Sequence, residues 1–141
     1  MVNKKIIMIF LIIFILIGIN SVNAINPSEF KMPNGYNEIG EANDGSFSFG
    51  NNNLKINIYD NTDTNHGLFF KDYTNHFTSY VGNNIYQYQE SAYSGYCEVI
   101  ELNGHQYIIV SFVNSYQGNS SQLYENLLEF NKLNNVEPLA V

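Results

Sequence analysis

The stretch Tyr96–Val113, Y-C-E-V-I-E-L-N-G-H-Q-Y-I-I-V-S-F-V, decides the fold. It is two β-rich runs joined at Asn103-Gly104. A type I′ turn needs φ > 0 at both central residues, and Asn-Gly meets that need at least cost, so the segment reads as a β-hairpin. A two-residue loop fixes the register. It sets Leu102 against His105, Glu101 against Gln106, Ile100 against Tyr107, Val99 against Ile108, Glu98 against Ile109 and Cys97 against Val110. Side chains alternate along a strand, so Cys97, Val99, Ile108, Val110 and Phe112 share one face, expected to be the core face. The other face carries Tyr96, Ile100, Leu102, Tyr107 and Ile109, with Glu98, His105 and Ser111 among them. A solvated face would alternate more cleanly, which implies that another element covers part of this second face.

Upstream of the hairpin, Leu54–Tyr59 alternates as a strand with Leu54, Ile56 and Ile58 inward. Shorter strands are expected at Phe30–Met32, Tyr36–Gly40, Ser46–Phe49 and Ile85–Gln89, separated by Gly- and Asn-rich turns. Between them the period changes. Tyr73, Phe77, Tyr80 and Val81 fall at i, i+4, i+7 and i+8, which predicts a helix capped by Asp72 and ended by Gly82. After the hairpin, Leu123, Leu127, Leu128 and Phe130 predict a second amphipathic helix from a cap at Ser121 to near Leu133. The tail that follows, ending Pro138-Leu139-Ala140-Val141, is expected to pack as an extended segment. The expected fold is α+β: a single antiparallel β-sheet with two amphipathic helices packed against it, in the order strands, helix, strands, helix.

The first 24 residues read as a signal peptide. Lys4 and Lys5 form a positive start, Ile6–Ile19 is apolar, and Val22-Asn23-Ala24 places small residues at a signal-peptidase site. Residues 25–141 then form a single domain, exported to the cell surface or the medium. The apolar run is shorter than the roughly 20 residues of a spanning helix, and an uncleaved N-terminal membrane anchor is the alternative. Removing Lys4 and Lys5 takes the formal net charge from −7 to −9 and leaves four lysines and no arginine. That balance excludes a nucleic-acid footprint and disfavours an anionic membrane surface, so contact with a membrane is expected only through an uncleaved leader. Cys97 is the only cysteine, so no internal disulfide forms and the hydrophobic core must carry the fold.

The opening F-K-M-P-N-G-Y, Phe30–Tyr36, resembles the start of the PsbP/Mog1-like proteins, which also close with a helix after a run of antiparallel strands. The close E-F-N-K-L-N-N-V-E-P-L-A-V resembles the ends of small secreted, uncharacterised proteins of methanogenic archaea. PsbP/Mog1-like proteins are mainly binding and assembly modules, and the resemblance implies a non-enzymatic role. It carries no functional residue over to this chain.

Several constellations carry chemistry on paper. Cys97 and His105 share the hairpin, but the register turns them to opposite faces and sets them roughly 17 Å apart along the strands. A thiol–imidazole dyad needs hydrogen-bond reach, so a buried core thiol is the better reading. The Asp60–His66 loop, D-N-T-D-T-N-H, offers Asp60, Asp63 and His66 at i, i+3 and i+6. It partly echoes a calcium loop running from Asn61 to Asp72, yet His66 stands where that turn needs Gly and Asp72 where it needs Glu. A solvated loop explains it as well, and no metal or other cofactor is expected. Glu98 and Glu101 sit on opposite faces and make no carboxylate pair, and Glu98 among apolar neighbours is read as a strand end or a gap in the cover. No nucleotide-binding or nucleophile motif is present.

Tyr86, Tyr88, Tyr93 and Tyr96 cluster in sequence and are the candidate ligand-contact surface, since tyrosine offers apolar area with a polar tip. Ordinary sheet packing accounts for them too. Asn119, in Asn119-Ser120-Ser121, is a candidate N-glycosylation site. The sequence thus predicts a secreted or cell-envelope-associated binding module without catalytic activity, its partner a protein or glycan of the envelope. The alternatives are a metal-dependent surface hydrolase using the Asp60–His66 loop and a membrane-anchored envelope protein.

Overall fold

The computed structural model describes residues 25–51, 53–61, 78–89, 94–113 and 120–140. The expected leader, the loop beyond Asn61, Tyr93 and Asn119 lie outside them. Seven strands form one antiparallel sheet: β1 Asn37–Glu41, β2 Phe47–Gly50, β3 Leu54–Asp60, β4 Thr78–Gly82, β5 Ile85–Gln89, β6 Ser94–Leu102 and β7 His105–Val113. Their order is β1-β2-β3-β7-β6-β5-β4, two meanders joined edge to edge where β3 meets β7. Among the described residues one α-helix follows, α1 at Ser120–Asn134.

The β6–β7 hairpin has the register that its turn dictates, from Leu102 opposite His105 to Cys97 opposite Val110. Asn103 and Gly104 take φ of 52° and 78°, as a type I′ turn requires. β3 buries Leu54, Ile56 and Ile58 and half-buries Lys55, Asn57 and Tyr59, the alternation of a strand with one face in the core.

The architecture differs from the expected two-helix order. The helix placed at Asp72–Gly82 gives way over Thr78–Gly82 to β4, which pairs with β5. Asn83 and Asn84 both have positive φ, 53° and 57°, so V-G-N-N-I is a second tight hairpin turn and Gly82 is no helix end. Thr78, Tyr80 and Val81 favour a strand, and pairing with β5 outweighs a helical spacing carried by four residues. Phe30–Met32 is no strand either. A short 3₁₀ turn at Pro27–Glu29 precedes it, and the Asn134 side chain bonds both the amide and the carbonyl of Lys31, each at 2.8 Å. One carboxamide thus takes the place of a neighbouring strand.

The main core also lies on the face opposite the expected one. α1 covers Ile100, Tyr107 and Ile109, with Leu127 and Phe130 packed into the same cluster as Ile56 and Ile58. Two polar residues of this face bond to α1: the Ser111 hydroxyl donates to the Leu123 carbonyl at 3.1 Å, and one carboxyl oxygen of Glu98 accepts from the Asn131 amide. Leu123, Leu127 and Phe130 are fully buried at i, i+4 and i+7 of α1. Cys97, Val99 and Ile108 form a smaller cluster on the other face, where Leu139 packs against them.

α1 ends in a Schellman turn. Asn135 has φ of 52°, its amide donates to the Lys132 carbonyl, and the Val136 amide reaches back to Asn131. The tail then packs back on the sheet. The Leu139 amide donates to the Val99 carbonyl at 2.7 Å, and the Asn84 carboxamide donates to the Pro138 carbonyl at 3.1 Å.

Candidate functional site

Two polar groupings and one aromatic surface stand out. The first is at the end of the sheet where β3 finishes and β7 begins. Asp60 continues the inward alternation of Ile56 and Ile58 and is only 5 % exposed. A buried carboxylate needs a partner, and the His105 Nε2 lies 2.9 Å from its Oδ1. The His105 ring stands 4.8 Å from that of Tyr107, whose other side meets Phe30 edge-on at 5.0 Å. Burial pushes the Tyr107 phenol up, and the carboxylates of Glu29 and Asp60 add to the rise. Asn61 closes the corner by bonding the Gln106 carbonyl and side chain.

An aspartate that orients a histidine is the base-and-orienter half of a hydrolytic constellation, which still needs a nucleophile or a metal-bound water. Cys97 does not supply one. It is 1 % exposed on the opposite face, and burial, with Glu98 adding, pushes its thiol up to about 12. Among the described residues no three His, Cys, Asp or Glu side chains are arranged to hold a metal ion. Of the expected Asp60–His66 loop, Asp60 is turned inward to His105, while Asp63 and His66 lie outside the described residues.

The second grouping is Glu98 with Asn131. Glu98 is not at a strand end or a gap in the cover. It is fully buried at the centre of β6, and the Asn131 amide donates to its Oε2 at 2.9 Å. Burial pushes the carboxyl up to about 8, with the Asn131 hydrogen bond pulling the other way. Sequence reasoning missed this pair because Asn131 continues the buried stripe of α1 as a polar residue, four after Leu127. An inward polar residue on each of two apolar elements is the signal that could have joined them.

The tyrosines separate between the two faces. Tyr86 lies on the face away from α1, half-buried beside the smaller cluster and 5.4 Å edge-on from Tyr80, which is 60 % exposed. Tyr88 stands in β5 opposite Gly95. Tyr96 is on the helix side, 5.2 Å from Tyr124, and serves packing. Of the four expected tyrosines, Tyr86 and Tyr96 therefore lie on opposite faces and Tyr93 lies outside the described residues; Tyr80 and Tyr86 are brought together. Asn57 lies on the same face in β3, where Ser48 donates to its side chain and it donates to the Tyr59 hydroxyl. No helix among the described residues is long and apolar enough to cross a membrane. No protein-family model, curated protein or solved structure matches the chain.

Proposed function

We propose that this protein is an exported, envelope-associated binding module that works without catalysing a reaction, and that it engages a neutral glycan or glycan-bearing partner through the β4–β5 hairpin. The observation that carries this reading is the Tyr80–Tyr86 pair, partly open to solvent on the face that α1 leaves uncovered. The hairpin Thr78–Gln89 contains no Asp, Glu, Lys or Arg in a chain of formal net charge −7, and it is rich in Tyr, Asn and Gln. Aromatic rings stack on sugar C–H faces and carboxamides bond hydroxyls, which suits an uncharged polar ligand.

Affinity electrophoresis through gels containing soluble neutral polysaccharides tests it. Retardation of the wild type that is lost in Tyr80→Ala, with the melting temperature unchanged, is the expected result. Equal mobility of both proteins in every gel would reject the reading.

A second reading, a metal-dependent hydrolase on the Asp60–His66 loop, draws on the Asp60–His105 pair. It requires zinc or manganese to raise the melting temperature of the wild type and not that of Asp60→Asn.

A further inference from the structure

Glu98 and Asn131 leave a pairing problem that chemistry can resolve. The Asn131 amide satisfies Glu98 Oε2, but Glu98 Oε1 and the Asn131 carboxamide oxygen are both buried and have no hydrogen-bond partner among the described residues. With an ionised Glu98, both remaining atoms are acceptors and neither can serve the other. Leaving both unpaired in a dry core costs several kcal/mol in general, and a buried lone carboxylate costs more. One proton removes the conflict, because a neutral carboxylic acid has one hydroxyl donor and one carbonyl acceptor, the complement of a carboxamide.

We propose that Glu98 is held as the neutral acid in the folded protein, that its hydroxyl donates to the Asn131 carboxamide oxygen, and that this two-bond acid–amide latch, which opens when Glu98 ionises, pins the C-terminal end of α1 and the tail to β6. The position of Asn131 gives the latch its reach. Its backbone carbonyl accepts the Val136 amide in the turn that ends α1, and three residues later Leu139 bonds Val99, the residue after Glu98. Leu139 also packs on the cluster that holds Cys97. Loosening Asn131 therefore loosens the tail, and the thiol beneath Leu139 reports it.

The surroundings favour the neutral acid. Ile100, Ile109, Leu127 and Phe130 share the buried cluster on this face, and burial is the main cause that pushes the Glu98 carboxyl up to about 8. The titratable neighbours are Tyr96 on β6, Tyr107 on β7 and Tyr124 on α1, which share this face, and Cys97, adjacent in sequence on the other; a phenol or a thiol is never cationic. Lys132, Glu125 and Glu129 of α1 are exposed, and His105 is engaged with Asp60 at the sheet end. Among the described residues no opposite charge stands ready to hold an ionised Glu98.

Because the folded state binds this proton more tightly than the unfolded chain, the latch is complete below the ordinary carboxyl range. It weakens as pH rises from about 4.5 toward about 8. Glu98→Gln tests it directly, since a carboxamide donates and accepts in the same places as the neutral acid and does not titrate. Labelling of Cys97 by a disulfide reagent, taken as the ratio of wild type to Glu98→Gln at each pH, cancels every titrating group the two proteins share; an ionised Glu98 holds the thiol up and so works against the expected rise. The ratio is expected to be smallest at pH 5, to rise by up to about tenfold per pH unit between pH 5 and 7, and to level off near pH 8. Urea midpoints should diverge over the same range, the wild type falling below Glu98→Gln. A second variant, Glu98→Leu, keeps an apolar core and should label with no rise relative to Glu98→Gln. A flat ratio, or wild-type and Glu98→Gln midpoints that move in parallel from pH 5 to 9, would overturn the proposal.

Discussion

Asp60 and His105 meet corner to corner rather than side by side. Asp60 stands opposite Tyr107 in the β3–β7 ladder and His105 opposite Leu102 in the β6–β7 ladder, yet Oδ1 and Nε2 lie 2.9 Å apart. The contact ties the last residue of one meander to the first of the other's closing strand. With Nε2 facing a carboxylate, the imidazole carries its proton on that nitrogen. Nitrogen NMR should report Nε2–H at neutral pH, and Asp60→Asn should lower stability by about 1.5–3 kcal/mol in urea titration, the scale of a hydrogen bond to a charged group. An Nδ1–H tautomer would contradict the pairing.

Gly95 is required by close approach. A Cβ built there would lie 2.1 Å from the Ser111 carbonyl oxygen and 2.9 Å from Phe112 Cα and Cβ. The obstacle is the neighbouring strand's backbone, which cannot turn aside. Gly95→Ala should cost about 2 kcal/mol or more by chemical denaturation, within the range for overpacking. Gly104→Ala should cost about 1 kcal/mol for another reason, the left-handed φ of 78° with nothing within 4 Å of the added carbon.

Helix α1 separates core from surface at adjacent positions. Phe130→Ala should destabilise by about 3–5 kcal/mol and Leu127→Ala by about 2–5 kcal/mol, since both side chains are fully buried. Leu128, 42 % exposed, should change by no more than about 0.5 kcal/mol when cut to Ala. Thermal melts of the three variants make the comparison. Equal losses at Leu127 and Leu128 would mean that α1 is rotated on the sheet.

The tail should be separable from the rest of the fold. Leu139 is half-buried against the Cys97 cluster and holds one backbone hydrogen bond to Val99. Leu139→Ala should raise the rate of Cys97 labelling at fixed pH while lowering global stability by no more than about 2 kcal/mol. An unchanged labelling rate would show that the tail does not guard the thiol.

The sequence disclosed the register of β6–β7, the inward set of β3 and the buried stripe of α1, because each rests on a local rule: turn chemistry, period two and period 3.6. It misled where local signals conflict. Tyr73, Phe77, Tyr80 and Val81 have helical spacing, but the Asn83-Asn84 turn lets Thr78–Gly82 pair with β5, and pairing is a tertiary contact that spacing does not encode. The choice of core face failed because hydrophobicity was counted without partners. Ser111 and Glu98 made the helix face read as the partly covered second face, while their bonds to Leu123 and Asn131, in an element outside the hairpin, let it carry the main core. Of the candidate site, Asp60 was in view, but its bond to His105 depends on β3 lying beside β7, which no local pattern specifies.

The seam between β3 and β7 shapes how the chain reaches this structure. Every other ladder joins strands that are neighbours along the chain, whereas Leu54 pairs with Val113 and Asp60 with Tyr107. Pairing over such a separation must repay a large loop-closure entropy before it returns any contact, so zipping the two meanders together should set the folding rate. Each meander is local within itself. A chain cut between Asn61 and Thr78 should therefore yield two fragments that reassociate, and their rate of joining would measure the barrier that the intact chain crosses in one molecule.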